Sequence, residues 1–361
     1  YFLLLLFNCL SLIIFNIIII LSFKNQVKTR EVIMKYDLLG IGNALVDCLG
    51  KCEEEIISEN NLEKGTMALV DSQIAKNIFE KLVDTEIKGG GSVANSMTGF
   101  SALGGKSAFI GRVGNDTMGQ SFVENMNELN IDFLGRDKSQ TPSGNCTVIV
   151  SPDGQRTMAT YLGASVELSD KDLDFDSLEH AKIIYLEGYL FDSDNARDCF
   201  DKLGTTLKQS NTKIAFTLSD IFVVERHRTE LFDFVKNKVD ILFANEEEIK
   251  HLMQNDDIDY CINNINKFVD TAVITKGEKG AVCCLNNQVY SADAKVVNVV
   301  DTTGAGDQFA GGFLYGLSQG YSINNCLEIG IRLASSVISH MGARLLVDPK
   351  DLIKDIEFDK A

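Results

Sequence analysis

The twelve residues DTTGAGDQFAGG, residues 301–312, decide how the chain is read. They lie between the apolar run 296–300 and a segment with Phe309, Phe313, Leu314 and Leu317 at helical spacing, which predicts a strand, a glycine turn and a helix. Gly304, Ala305 and Gly306 carry almost no side chain, so a ligand can approach their backbone N–H groups at the positive end of the helix. Such a turn is an anion site. Asp307 stands inside it and would repel a resting phosphate, but it suits removal of a proton from a hydroxyl attacking phosphorus. A helix cap is the competing reading of Asp307.

Working outward, short apolar runs alternate with helical patterns. Tyr36–Ile41, Ser107–Ile110 and the runs 183–186, 214–218, 241–244, 272–275 and 296–300 read as strands covered on both faces. Met118, Phe122, Met126 and Leu129, after an Asp116 cap, exemplify the helices between them. This alternation predicts an α/β fold, a mostly parallel sheet sandwiched between helices. One part breaks it: residues 146–150 and 156–162 flank Pro152-Asp153-Gly154 and read as an antiparallel hairpin. With the stretch after Asp47, it predicts a small β flap over the main sheet.

Composition limits the partners. The 361 residues are 45% apolar with a net charge of −17, so there is no basic field for binding a nucleic-acid strand. Nine cysteines contain no CxxC pair, and reduced thiols follow. Residues 1–23 are uncharged and long enough to span a bilayer, with Lys24, Lys28 and Arg30 behind them. Residues 1–33 are therefore a hydrophobic extension, either an untranslated leader before Met34 or an anchor that keeps the remainder cytoplasmic. Residues 34–361 are expected to form one cytoplasmic domain, with its lid drawn from segments near 44–71 and 141–165.

Three further clusters carry chemistry. Gly40-x-Gly42-Asn43 and Asp47 follow the first strand, where open α/β sheets bind ligands, and Asp47 could accept bonds from a sugar diol. Gly89-Gly90-Gly91-Ser92-x-x-Asn95 opens a helix and signals close approach to the chain. Asn245 and Glu248 share one face at a strand end, suited to Mg²⁺ held through water; Thr275 and Gly277 end another strand and could border a nucleotide. Residues 105–107 lack the glycine of a Walker loop, and Gly316-x-Ser318-x-Gly320 ends a helix where a serine nucleophile would need a strand-to-helix turn. The four histidines show no metal spacing.

Together these motifs resemble the PfkB, or ribokinase-like, carbohydrate kinases over nearly all of the chain from Met34. The signatures are GGGSVANSMTGFSALGGKSAFIGRVGNDTMG at 89–119 and DTTGAGDQFAGGFL at 301–314. GNALVD, GGGSVANS and residues 142–165 look most like adenosine kinases and their bacterial relatives. The resemblance implies a three-layer α/β/α sandwich with a small β lid, and an ATP- and Mg²⁺-dependent kinase for a nucleoside, adenosine foremost, or a sugar, as monomer or homodimer; a non-catalytic nucleotide or nucleoside sensor on the same fold is the competing reading. It implies Asp307 as catalytic base, Gly304, Ala305 and Gly306 as anion hole, and Arg156 as a lid arginine approaching the phosphate. Asp47, Gly90, Gly91 and Asn95 would hold sugar hydroxyls, with Tyr189 against a nucleobase. Asn245 and Glu248 match a motif for Mg²⁺ and phosphate, and Thr275 and Gly277 an ATP-contacting loop. Asp301 and Thr303 match positions that bind a monovalent cation, K⁺, in some relatives. Gln308 departs from the small residue common at its position.

Overall fold

The computed structural model describes residues 34–136, 138–153 and 155–360. The apolar extension and Gly154 of the hairpin turn lie outside the described residues. Among those described, no helix is long and apolar enough to cross a membrane.

The large sheet has nine strands, in spatial order β14 (Gln288–Ala292), β13 (Ala281–Leu285), β12 (Thr271–Thr275), β11 (Ile241–Asn245), β10 (Lys213–Thr217), β9 (Ala181–Glu187), β1 (Tyr36–Ile41), β5 (Ser107–Ile110) and β6 (Ile131–Phe133). From β12 to β6 every pairing is parallel, and only the β12–β13–β14 edge is antiparallel. Alternation along β1 and β9 divides the core. Leu39, Ile41, Ile184 and Leu186 pack on one side, while Leu38, Ile183 and Tyr185 pack on the other. Four helices matter here: α1 (Ser92–Ala102), α3 (Ala305–Ser318) and α4 (Ile323–Val337) on the second side, and α2 (Glu246–Met253), at the end of β11, on the first. Helices α3 and α4 pack closely because Gly312 and Gly316 leave room for Ile329, Gly330 and Cys326.

A second sheet has five strands in the order β3 (Met67–Leu69), β8 (Arg156–Tyr161), β7 (Gly144–Val150), β2 (Leu45–Lys51) and β4 (Val83–Gly89). The antiparallel β7–β8 pair is the anticipated hairpin, and β4 joins from a stretch that carries no strand signal in the sequence.

The expected strand at 296–300 is absent. The β13–β14 hairpin closes the sheet edge, so the run has no neighbour to pair with. Val296 is fully solvent-exposed, Val299 and Val300 are about half exposed, and one bond from Val300 N–H to Ile338 O (2.8 Å) ties the segment to α4's end.

Candidate active site

The glycine turn is fixed by its neighbours. Gly304 has φ +76°, and a Cβ there would stand 2.6 Å from the Ala343 backbone, so glycine is required. The turn aims the N-terminus of α3 into a cavity of about 680 Å³ at the C-terminal ends of the large-sheet strands, beneath the small sheet. The N–H of Ala305 donates to Thr302 O (3.2 Å); those of Gly304 and Gly306 have no acceptor among the described residues.

Asp307, in the first turn of α3, faces the same cavity. Ser92 Oγ donates to its Oδ1 (2.7 Å) and Asn95 Nδ2 to its Oδ2 (3.1 Å), so α1 holds the carboxylate with two neutral donors. Burial pushes Asp307 up to about 6, against those bonds and the positive charge of Arg344. Asp47 is also pushed up to about 6, by burial and by Asp307, with Arg344 and Arg156 opposing. Gly90 lies against Asp47: a Cβ there would be 2.1 Å from Oδ1. Gly91 has φ +90° and its place is closed to a side chain by Asn43 O.

Across the cavity, Asn245 and Glu248 cap α2 reciprocally. Glu248 N–H donates to Asn245 Oδ1 (2.8 Å), Asn245 N–H to Glu248 Oε2 (2.9 Å), and Asn245 Nδ2 to Oε1 (2.7 Å). Burial pushes Glu248 up to about 7, with Asp220 adding to it. Thr275 and Thr303 reach the same wall, and Tyr189 lines it while packing on the core beneath. Gly277 is not on the wall; its φ of +56° shapes the turn after β12. The small sheet contributes Leu45, Met67, Val148 and Met158, with Leu162 just beyond β8, to a mainly apolar roof that also carries Asp47 and Thr160.

Arg156 and Asp301 face each other just outside the cavity wall. Arg156 Nη1 donates to Asp301 Oδ2 at 2.5 Å, and the same carboxylate accepts from Gly342 N–H (2.8 Å), Thr303 Oγ1 (2.7 Å) and Thr303 N–H (3.1 Å). Its oxygens are thus already supplied with donors. Among the described residues, no three His, Cys, Asp or Glu side chains cluster as metal ligands.

Four residues escaped the sequence reading. Ser92 lay inside a quoted motif without a role. Glu187 is buried at the end of β9, accepts from Asn43 N–H (2.9 Å) and Val93 N–H (3.0 Å), and is pushed up to about 7 by burial. Its one signal was an acid directly after the apolar run 183–186. Gln308 donates to Asn95 O (2.9 Å) and Ala343 O (3.0 Å), so the residue that departs from the family pattern ties α3 to two neighbouring segments. Arg344 donates from Nε to Asn95 Oδ1 (3.1 Å) and from Nη1 to Asn125 Oδ1 (2.6 Å). No local pattern announces it.

Comparison with known proteins gives the class to which this parallel sheet, glycine-led helix start and adjoining carboxylate belong, phosphotransferases of hydroxyl groups. Residues 68–350 match the pfkB family carbohydrate kinases, and the chain belongs to that family. It is similar to the structure of a probable sugar kinase from Rhizobium etli CFN 42, with 35% identity, 89% of this chain and 98% of that one covered, and a TM-score of 0.83. It is similar to the adenosine kinase structure from Sinorhizobium meliloti, with 34% identity, 89% and 99% covered, and a TM-score of 0.82. Adenosine kinase of Saccharomyces cerevisiae is 25% identical over 332 residues, 86% of this chain and 96% of its own length. The protein is a PfkB kinase of the carbohydrate and nucleoside class, and that class uses ATP.

Proposed function

We propose that the protein phosphorylates the primary hydroxyl of a nucleoside, adenosine foremost, from ATP. The observation that carries this reading is the meeting of a polar patch and an apolar one. Asn95 and Asp307, from α1 and α3, with Asp47 on β2, offer polar groups for a ribose, and the rest of the small sheet presents Leu45, Met67, Val148 and Met158. A flat, largely apolar base fits such a roof, whereas a free sugar would leave it uncovered.

Asp307 accepts the proton of the attacking hydroxyl. Its partners Ser92 and Asn95 are neutral, so its basicity is not quenched by a direct ion pair. The free N–H groups of Gly304 and Gly306 receive the charge developing on the transferred phosphoryl group. ATP, when bound, supplies the phosphoryl group, and Mg²⁺ neutralises its oxygens. Glu248, on α2 beside Asn245, lines the cavity with Asp220 nearby, which suits an ion that retains most of its water. Asn245 and Thr275 border the nucleotide. Asp47 holds ribose hydroxyls, and Tyr189 lies against the base. Arg156 reaches the phosphate by exchanging Asp301 for it, and closure of the small sheet keeps water from competing as acceptor. A monovalent cation at Asp301 and Thr303 would have to displace Arg156.

The test is ADP release by the chain from Met34 with ATP and Mg²⁺, over adenosine, other nucleosides, ribose, fructose and keto-deoxygluconate. Turnover confined to nucleosides supports the proposal. Turnover with a sugar alone overturns the acceptor and leaves the phosphoryl-transfer chemistry.

A further inference from the structure

We infer that Arg344 is a positioning residue for the base, fixing through Asn95 both the direction and the charge state of Asp307. The inference rests on the reading of Asp307 as base.

An asparagine amide can be turned either way, and only one orientation presents Nδ2 to a carboxylate. Here Asn95 donates from Nδ2 to Asp307, and its Oδ1 is occupied by Arg344 Nε. Arginine has donors and no acceptor, so it enforces that orientation: the reversed amide would face Arg344 with N–H groups. Arg344 is itself held by Asn125 Oδ1 (2.6 Å), and Gly89 makes room for the fork, since a Cβ there would stand 2.7 Å from both Nη2 and Asn125 Oδ1. Nη2 is buried without a partner. The result is a chain Asn125, Arg344, Asn95, Asp307 crossing from one helix to another and then to the catalytic turn.

Charge points the same way. Asp307 is faced by Asp47 on β2 and by Glu187 and Tyr185 on β9, while Arg344 is the cation acting on it; Asp47 also feels Arg156. Arg344 is the counter-charge shared by Asp47 and Asp307, and without it burial and mutual repulsion would hold both protonated to higher pH.

The experiment measures kcat and KM from about pH 5 to 9 for Arg344→Met, Arg344→Lys, Asn95→Ala and the Arg344→Met/Asn95→Ala pair, with MgATP and the acceptor identified by the panel. Arg344→Met is expected to lower kcat about 10- to 100-fold and to move the acidic limb of kcat/KM up by about one pH unit. The double variant should lose less than the product of the two single losses. Arg344→Lys should keep the limb near its parental place and still lose turnover, because an ammonium lacks the planar fork whose Nε and Nη1 fix the two asparagines. An unmoved limb with multiplicative losses, in variants that melt like the parent, overturns the inference and leaves Arg344 a structural residue. Should Arg344→Met fail to fold, Asn125→Ala removes only the outer tether: a roughly 3- to 10-fold fall in kcat supports the inference, and parental kcat overturns it. Asp307→Asn separates the two readings. Parental turnover there removes the base and the inference together, while an inactive Asp307→Asn beside a parental Arg344→Met profile removes the inference alone.

Discussion

Ser92 donates its hydroxyl to Asp307 at 2.7 Å, across 215 residues of sequence, joining the first residue of one glycine-led helix to the first turn of another. The two signature glycine clusters therefore meet at one carboxylate. Replacing Asp307 by Asn keeps the size and a hydrogen bond to Ser92 while abolishing the base. Turnover should fall at least ~100-fold with the melting temperature retained, in a steady-state assay beside a thermal melt.

Ser92→Ala removes a bond that favours the ionised form of Asp307. The carboxylate should then protonate at higher pH, so the acidic limb of kcat/KM rises from its parental place near 6. Activity at pH 6 should fall more than activity at pH 8, which a two-pH comparison reads directly.

Asp47, Glu187, Glu248 and Asp307 all have folded values raised above those of free carboxylates. Raised values mean that the folded chain holds protons more tightly than the unfolded one. The stability these groups contribute is complete below about pH 4 and is lost as pH rises through about 6 to 7. Glu248→Gln removes one ionisation and keeps an acceptor for only one of the two Asn245 donors. Relative to the parent, its melting temperature should rise by a few degrees between pH 5 and pH 7.5, because the parent alone loses stability as Glu248 ionises.

The apolar roof gives a specificity prediction. Met158→Gln places an amide against the proposed base, and KM for adenosine should rise about 10-fold while kcat changes little. Equal effects on a nucleoside and on free ribose would count against base recognition by the small sheet.

Gly304→Ala introduces a Cβ 2.6 Å from the Ala343 backbone at φ +76°. The turn must shift, so both the melting temperature and turnover should fall, the latter ~100-fold through the displaced N–H donors.

Much of this was readable from the chain because the relevant forces are local. Strands such as 183–186 and 241–244 are buried on both faces and therefore appear as unbroken apolar runs. The same rule failed at 296–300, because an apolar run becomes a strand only where a neighbour offers its edge, and the β13–β14 hairpin had already ended the sheet. The glycine clusters and Asp307 were visible by residue type. Arg344, Gln308 and Glu187 were not, since each acts on residues distant in sequence, and nothing beside Arg344 in the sequence points to Asn95.

The contacts of Gln308 and Arg344 with Asn95 also bear on how the protein is made. Asn95 is translated early, yet the arginine that fixes its amide follows 249 residues later. A growing polypeptide that stops short of Asp307 and Arg344 lacks both partners of the Asn95 amide. The Asn95–Asp307–Arg344 arrangement is thus complete only once nearly all of this sequence has emerged.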